Sequence, residues 1–156
     1  MFKRLFYLSI FALALFLVFG AGSEDRPMFQ MSRFSIVPAE GAPIPFEAEV
    51  ALSPSEQAYG LMFARSMPEG RGMIFPFTPP SQATFWMKNT YIPLDIIFVA
   101  PGGSISHITE NAKPHDLTPI QSPGKVAAVI ELIGGTAKKH KIQVGDKVES
   151  PVIKPQ

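Results

Sequence analysis

Alternation of apolar and polar residues marks out strands along most of this chain. Phe46, Ala48, Val50 and Leu52 fall on one side of an extended segment, and Glu47 and Glu49 on the other, the pattern of a half-buried antiparallel strand. Phe34 to Val37 reads as a first short strand. Met73-Ile74-Phe75 is a short apolar strand stopped by Pro76, and Ala83 to Thr90 is the expected central strand. Leu94 to Ala100, Ser104 to Glu110, Val126 to Ile133 and Lys147 to Ile153 complete the set. Proline and glycine punctuate the rest. Residues 38–45, 77–81 and 111–124 are expected loops, and Pro101-Gly102-Gly103 a tight hairpin turn.

Two segments break this rhythm. Ser53-Pro54-Ser55-Glu56 is a capping box with proline at the first helical position, where its missing N–H costs nothing. It predicts a helix from Pro54 to about Met62, burying Ala58, Leu61 and Met62. Thr136 to Lys141 predicts a short basic helix capped by Thr136. Many short strands with one or two brief helices argue for a mainly β fold, a compact antiparallel sandwich or barrel. A doubly wound α/β fold lacks the helical crossovers it would need.

The N-terminus is of a different kind. Met1-Phe2-Lys3-Arg4 is basic, Leu5 to Phe19 is apolar apart from Ser9, and Gly20-Ala21-Gly22 supplies small residues. That is the pattern of a cleaved secretory signal over residues 1–22, placing the protein in the periplasm or outside the cell. The alternative is an uncleaved membrane anchor over residues 5–22, the single route by which this chain would meet a membrane. Residues 23–33 are expected as a polar leader, and 34–154 as one domain. Without residues 1–22 the chain holds twelve basic and thirteen acidic side chains, a net −1 that gives no footprint for nucleic acid. The chain has no cysteine, so disulfides and thiolate chemistry are excluded and the core alone must hold the domain.

Several segments fall in a recognisable order: Gly60-Leu61-Met62, Gly72-Met73-Ile74-Phe75, Phe85-Trp86-Met87-Lys88-Asn89-Thr90, Pro93-Leu94-Asp95-Ile96-Ile97-Phe98, Glu131-Leu132 and Gly145-Asp146. Together, over roughly residues 46–150, they resemble the DUF192 family of bacterial and archaeal proteins. The resemblance implies a compact, mostly β domain, often behind a signal peptide. The family's function is not established, so no reaction comes with it.

The candidate site is drawn from the residues themselves. Along a strand from Ala83 to Thr90, Phe85, Met87 and Asn89 would point one way, and Trp86, Lys88 and Thr90 the other. Trp86 and Lys88 would then share a face, able to form a cation–π contact or the wall and anchor of a ligand site. Asn89 at the strand end offers a donor and an acceptor, and Asp95 approaches Lys88 if the two strands pair. Trp86, Lys88, Asn89 and Asp95 are thus the candidate ligand-binding residues for a small molecule or an envelope protein. The structural alternative makes Lys88 and Asp95 a surface ion pair and Asn89 a turn brace. Glu131, a carboxylate inside an apolar run, is either solvent-facing or buried. If buried, its pKa rises unless a cation such as Lys88 or Arg65 compensates. Glu131 and Asp95 are therefore the candidate general bases if the domain is an enzyme. A third reading is a structural or assembly factor working through sheet edges.

No motif implies a cofactor or metal. His107, His115 and His140 show no ligand spacing, no phosphate-binding glycine loop appears, and Ser104 and Ser106 do not form a nucleophile elbow. Met62, Met67, Met73 and Met87 could suggest copper(I), but beside Leu61, Ile74 and Phe85 they read as core filler.

Overall fold

The computed structural model describes residues 26–154. The expected signal segment, residues 1–22, lies outside the described residues. Seven strands and two short helices follow in order: β1 (Gln30–Val37), β2 (Ile44–Val50), α1 (Pro54–Tyr59), β3 (Arg71–Phe85), β4 (Leu94–Val99), β5 (Ile105–Ala112), β6 (Ile120–Ile133), α2 (Thr136–His140) and β7 (Lys147–Glu149). The fold is mainly β, as expected. It is a single curled sheet, a half-barrel, with strand order β5-β4-β6-β3-β2-β1-β7. One pairing departs from the antiparallel expectation: β2 and β3 run parallel, because the chain crosses over through α1 between them. The two edges of the sheet are stitched at one end by a Ser104–Lys147 bridge. There the Ile105 amide donates to the Asp146 carbonyl at 2.8 Å, and the Val148 amide to the Gly103 carbonyl at 2.8 Å.

Alternation along the strands builds two cores. One face collects Phe34, Phe46, Ile74, Ile97, Ile130 and Val148, contributed from nearly every strand, together with Ala137 of α2. The other collects Met73, Phe75, Ile96, Phe98 and Val129, covered by Leu61 and Met87 from the connecting segments. β4 is buried at every position because both its faces are packed, which is why it reads as one apolar run around Asp95.

Several boundaries differ from the pattern-based expectation. β1 begins at Gln30, inside the expected leader. Its first residues are largely exposed, and backbone pairing with β2 from Gln30↔Val50 onward forms the strand without an apolar signal. β3 does not stop at Pro76 but runs through Pro76, Pro79 and Pro80 to Phe85. Register shifts against β6 between Pro76 and Ser81 absorb the missing donors, the setting in which a strand tolerates proline. β6 likewise starts at Ile120, within the expected loop. β7 is shorter than expected and ends at Glu149.

The capping box forms as read. The Ser53 hydroxyl accepts from the Glu56 amide at 3.2 Å, and the Glu56 carboxylate accepts from the Ser53 amide at 2.8 Å. The backbone amides of Ser53 and Leu52, both donating to the carboxylate, hold the Glu56 carboxyl below its ordinary pKa. The helix ends at Tyr59 rather than near Met62, because Gly60 turns left-handed at φ 51°. Ala58 is exposed, and Leu61 is buried from the turn beyond the helix. α2 is not capped by Thr136. Gly135 stands at its N-cap at φ 89°, and the Thr136 hydroxyl donates to the Ile133 carbonyl at 2.6 Å. No helix among the described residues is long and apolar enough to cross a membrane.

Candidate functional site

The segment Phe85 to Thr90 is a turn rather than a strand. β3 ends at Phe85. The Met87 amide then donates to the Asp116 carbonyl at 2.9 Å, and the Thr90 amide donates back to the Met87 carbonyl at 3.2 Å. Asn89 takes the left-handed conformation at φ 53°, which asparagine tolerates better than most residues. Its carbonyl accepts the Phe63 amide at 2.7 Å, so the turn is pinned to the segment after α1. Alternation therefore gave the correct sides for Trp86, Met87 and Lys88, for a different reason, and the wrong one for Thr90, which is buried. Met87 is buried because the turn folds it inward, whereas Trp86 and Lys88 lie on the surface, with the ammonium 5.2 Å from the indole centroid.

Asp95 sits elsewhere and is fully buried. One carboxylate oxygen accepts from the amides of Asn111 at 2.8 Å and Gly135 at 3.1 Å. The other accepts from Ala137 at 2.7 Å. It ties β4 to the end of β5 and supplies the acceptors that the start of α2 would otherwise lack. Lys88 is not among its partners, and the expected approach of the two does not occur. Among the described residues, its carboxylate bonds only to backbone amides.

Glu131 is the unexpected centre. It pairs across β6 with Met73 of β3 and Ile96 of β4, so its side chain shares the face that carries Met73, Phe75, Ile96 and Val129. It is 4% exposed, and among the described residues no hydrogen bond or ion pair reaches its carboxyl; since no fully buried side-chain oxygen there lacks a partner, the carboxyl oxygens face the cavity rather than being sealed in the core. Burial alone pushes its pKa from the ordinary 4.5 up to about 8. The carboxyl borders a cavity of about 360 Å³ walled by Phe75, Phe77, Phe85 and Trp86, with Tyr59 and Lys88 also lining it. Phe75 and Phe85 meet edge to face at 4.9 Å. The β3–β6 approach on this side is tight, since a side chain on Gly72 would come within 2.6 Å of the Glu131 carbonyl oxygen.

The fold thus brings Trp86 and Lys88 together with Glu131. It leaves Asn89 in the supporting turn and puts Asp95 inside the β4–α2 junction. Sequence reasoning linked Glu131 to Lys88 only as a cation that would compensate its charge, did not place Trp86 with them, and missed the aromatic wall of Phe75, Phe77 and Phe85. The available signal was the segment order: Gly60-Leu61-Met62, Phe75, four residues of the Phe85–Thr90 run (Phe85, Trp86, Lys88 and Thr90) and Glu131 all border this one cavity. Among the described residues no group of three or more His, Asp or Glu side chains could hold a metal.

The family profile DUF192, described as "Uncharacterized ACR", matches residues 35–150. The chain belongs to the DUF192 family. No functionally curated protein matches this DUF192 chain. Among solved structures, it is similar to a protein of Sinorhizobium meliloti 1021 that is provisionally named a transcription regulator. The two share 39% identity and a TM-score of 0.76, over 78% of this chain and 95% of that one. It is also similar to a protein of unknown function from Novosphingobium aromaticivorans DSM 12444, with 44% identity and a TM-score of 0.75, over 78% and 86% of the two chains.

Proposed function

We propose that this DUF192 domain is exported by residues 1–22 and acts in the cell envelope as a small-ligand-binding module. Its site is the cavity bordered by Glu131, Lys88 and Trp86. The observation that carries this reading is Glu131, a residue in the buried part of β6 whose carboxyl opens onto a cavity with aromatic walls and bonds to no group among the described residues. A charged or polar group set at the wall of a cavity with aromatic sides is the usual anchor of a small-molecule site. Asp95 and Asn89 support the site from a distance: one fixes α2 and the other shapes the turn that carries Trp86 and Lys88.

A second reading, an envelope enzyme, draws on the same carboxyl. An acid whose pKa is about 8 can both give and take a proton near neutral pH, as a general acid or base must. Asp95 is a poor base by comparison, because backbone amides occupy both its oxygens. An assembly factor working through open sheet edges is disfavoured by the Ser104–Lys147 stitch. DNA contact, suggested by the provisional name of the Sinorhizobium relative, would need an excess of positive charge that a net −1 after residue 22 does not supply.

The test uses protein purified after expression of the full chain, screened against cell-envelope metabolites and metals by thermal shift. Fluorescence of Trp86, the single tryptophan, serves as the second readout. The reading predicts saturable binding that quenches or shifts Trp86 emission and that Glu131→Gln weakens at least tenfold. Hits whose binding Glu131→Gln and Lys88→Met both leave unchanged would place the ligand elsewhere and sink the reading. Turnover of a bound compound, lost in Glu131→Gln, would favour the enzyme.

A further inference from the structure

The cavity walls constrain the chemistry of an occupant. Around Glu131 the neighbouring strands present Met73 from β3 and Ile96 from β4, both apolar. The titratable groups that share the cavity with it are Tyr59 at the end of α1 and Lys88 on the turn after β3. The Lys88 ammonium rests against the Trp86 ring, and among the described residues it lies within 4.0 Å of no carboxylate. The protein therefore provides an acid and no counter-charge for it. The remaining wall mixes aromatic rings with Gln57, Gln82, Thr84 and Thr90, and the face of an aromatic ring attracts cations and repels anions. Trp86 already displays that preference by holding the Lys88 ammonium.

Resting on the reading of this cavity as a binding site, we propose that its ligand is a small organic cation. A primary or methylated ammonium group would reach the Glu131 carboxylate, while an apolar body packs against Phe75, Phe77, Phe85 and Trp86. Binding supplies the counter-charge that the fold withholds. It draws Glu131 into its ionised form, and the proton leaves to solvent. The exposed Lys88 opposes entry only weakly, because its charge is screened by water, whereas the interaction at Glu131 is desolvated.

The probes are 4-phenylbutylammonium, 4-phenylbutanol and 4-phenylbutyrate, which share one body and differ in the head group. Each is titrated at millimolar concentration into the protein purified after expression of the full chain, followed by Trp86 fluorescence and NMR. The ammonium compound is expected to bind at least tenfold more tightly than the alcohol at pH 9. That advantage should fall about tenfold for each pH unit below the Glu131 pKa, because protonation removes the partner charge. Glu131→Gln should abolish the ammonium preference and retain the alcohol; the pH series on the unaltered protein gives the same information if that variant does not fold. Lys88→Met removes a like charge from the rim of the cavity and should increase ammonium affinity. If the alcohol or the butyrate binds as tightly as the ammonium compound at pH 9, the cation inference is wrong and the cavity reading stands. If Lys88→Met abolishes ammonium binding, the assignment to Glu131 is wrong. If none of the three binds the folded protein, both the cation inference and the cavity reading fall.

Discussion

Replacing Glu131 by glutamine should make the protein more stable, by an amount that grows as the pH rises above about 4.5. Burial pushes the Glu131 pKa from 4.5 to about 8. In the unfolded chain the same group ionises at its ordinary value. Below about pH 4.5 it is protonated in both states and contributes no pH dependence. Between 4.5 and 8 the folded protein holds one more proton than the unfolded chain, so stability falls as pH rises. The slope is about 1.4 kcal/mol per pH unit, which over this window amounts to roughly 5 kcal/mol. That is a large part of the 5–15 kcal/mol typical of a folded domain. Glutamine has nearly the same shape and does not ionise. At pH 5 the variant should therefore match the parent to within about 1 kcal/mol, and by pH 9 it should exceed it by several. Urea denaturation of both proteins at a series of pH values measures this, with the difference between the two curves isolating Glu131 from every other titrating group. Parallel curves across the whole range would refute the reasoning, because they would mean that the carboxyl ionises in the folded state as freely as in the unfolded chain.

Four further outcomes are expected. Asp95→Asn should cost about 3–5 kcal/mol in urea denaturation, since the new amide nitrogen must confront a backbone N–H within a fully buried junction. Asn89→Val should cost about 1–2 kcal/mol through the left-handed backbone it must adopt, and Asn89→Gly should be tolerated; a thermal melt of each separates them. Lys88→Met removes an exposed cation–π contact worth about 0.5–1 kcal/mol, so its melting temperature should shift by only a few degrees. Intact-mass measurement of protein recovered after expression of the full chain should show the N-terminus near Ser23; an intact Met1 in the membrane fraction would favour the anchor.

The legible parts of the fold were those set by local chemistry. The capping box at Ser53 and Glu56 needs only four residues, and it formed as read. The alternation of Phe46, Ala48 and Val50 needs only one buried face. What stayed hidden depended on partners distant in sequence. Pro76, Pro79 and Pro80 look like a strand breaker until β6 is seen to shift register beside them. Gln30 to Arg33 look like a leader until β2 pairs with their backbone. Thr136 looks like a helix cap, but the acceptors come from Asp95, 42 positions before Ala137. The cavity was the least visible feature, since it is assembled from α1, β3, the turn at Trp86 and β6. Glu131 alone carried a local signal, a charge inside an apolar run.

Asp95 and Glu131 show why that signal was ambiguous. Both are acids inside apolar strands, and both strands are buried. In the β4–β6 ladder Asp95 stands opposite Leu132, and Glu131 opposite Ile96, so the two carboxyls project to opposite faces of the sheet. On Asp95's face lie the ends of β5 and β6 and the start of α2, whose backbone donors close around it. On Glu131's side lie Met73, Ile96 and aromatic rings, and none of the polar side chains that share the cavity bonds to its carboxyl. A buried acid with three amides is a structural joint; one that opens unpartnered onto a cavity is placed to meet a ligand. One residue of register separates the two roles, and that register is set by pairing between β4 and β6 rather than by anything local to either acid.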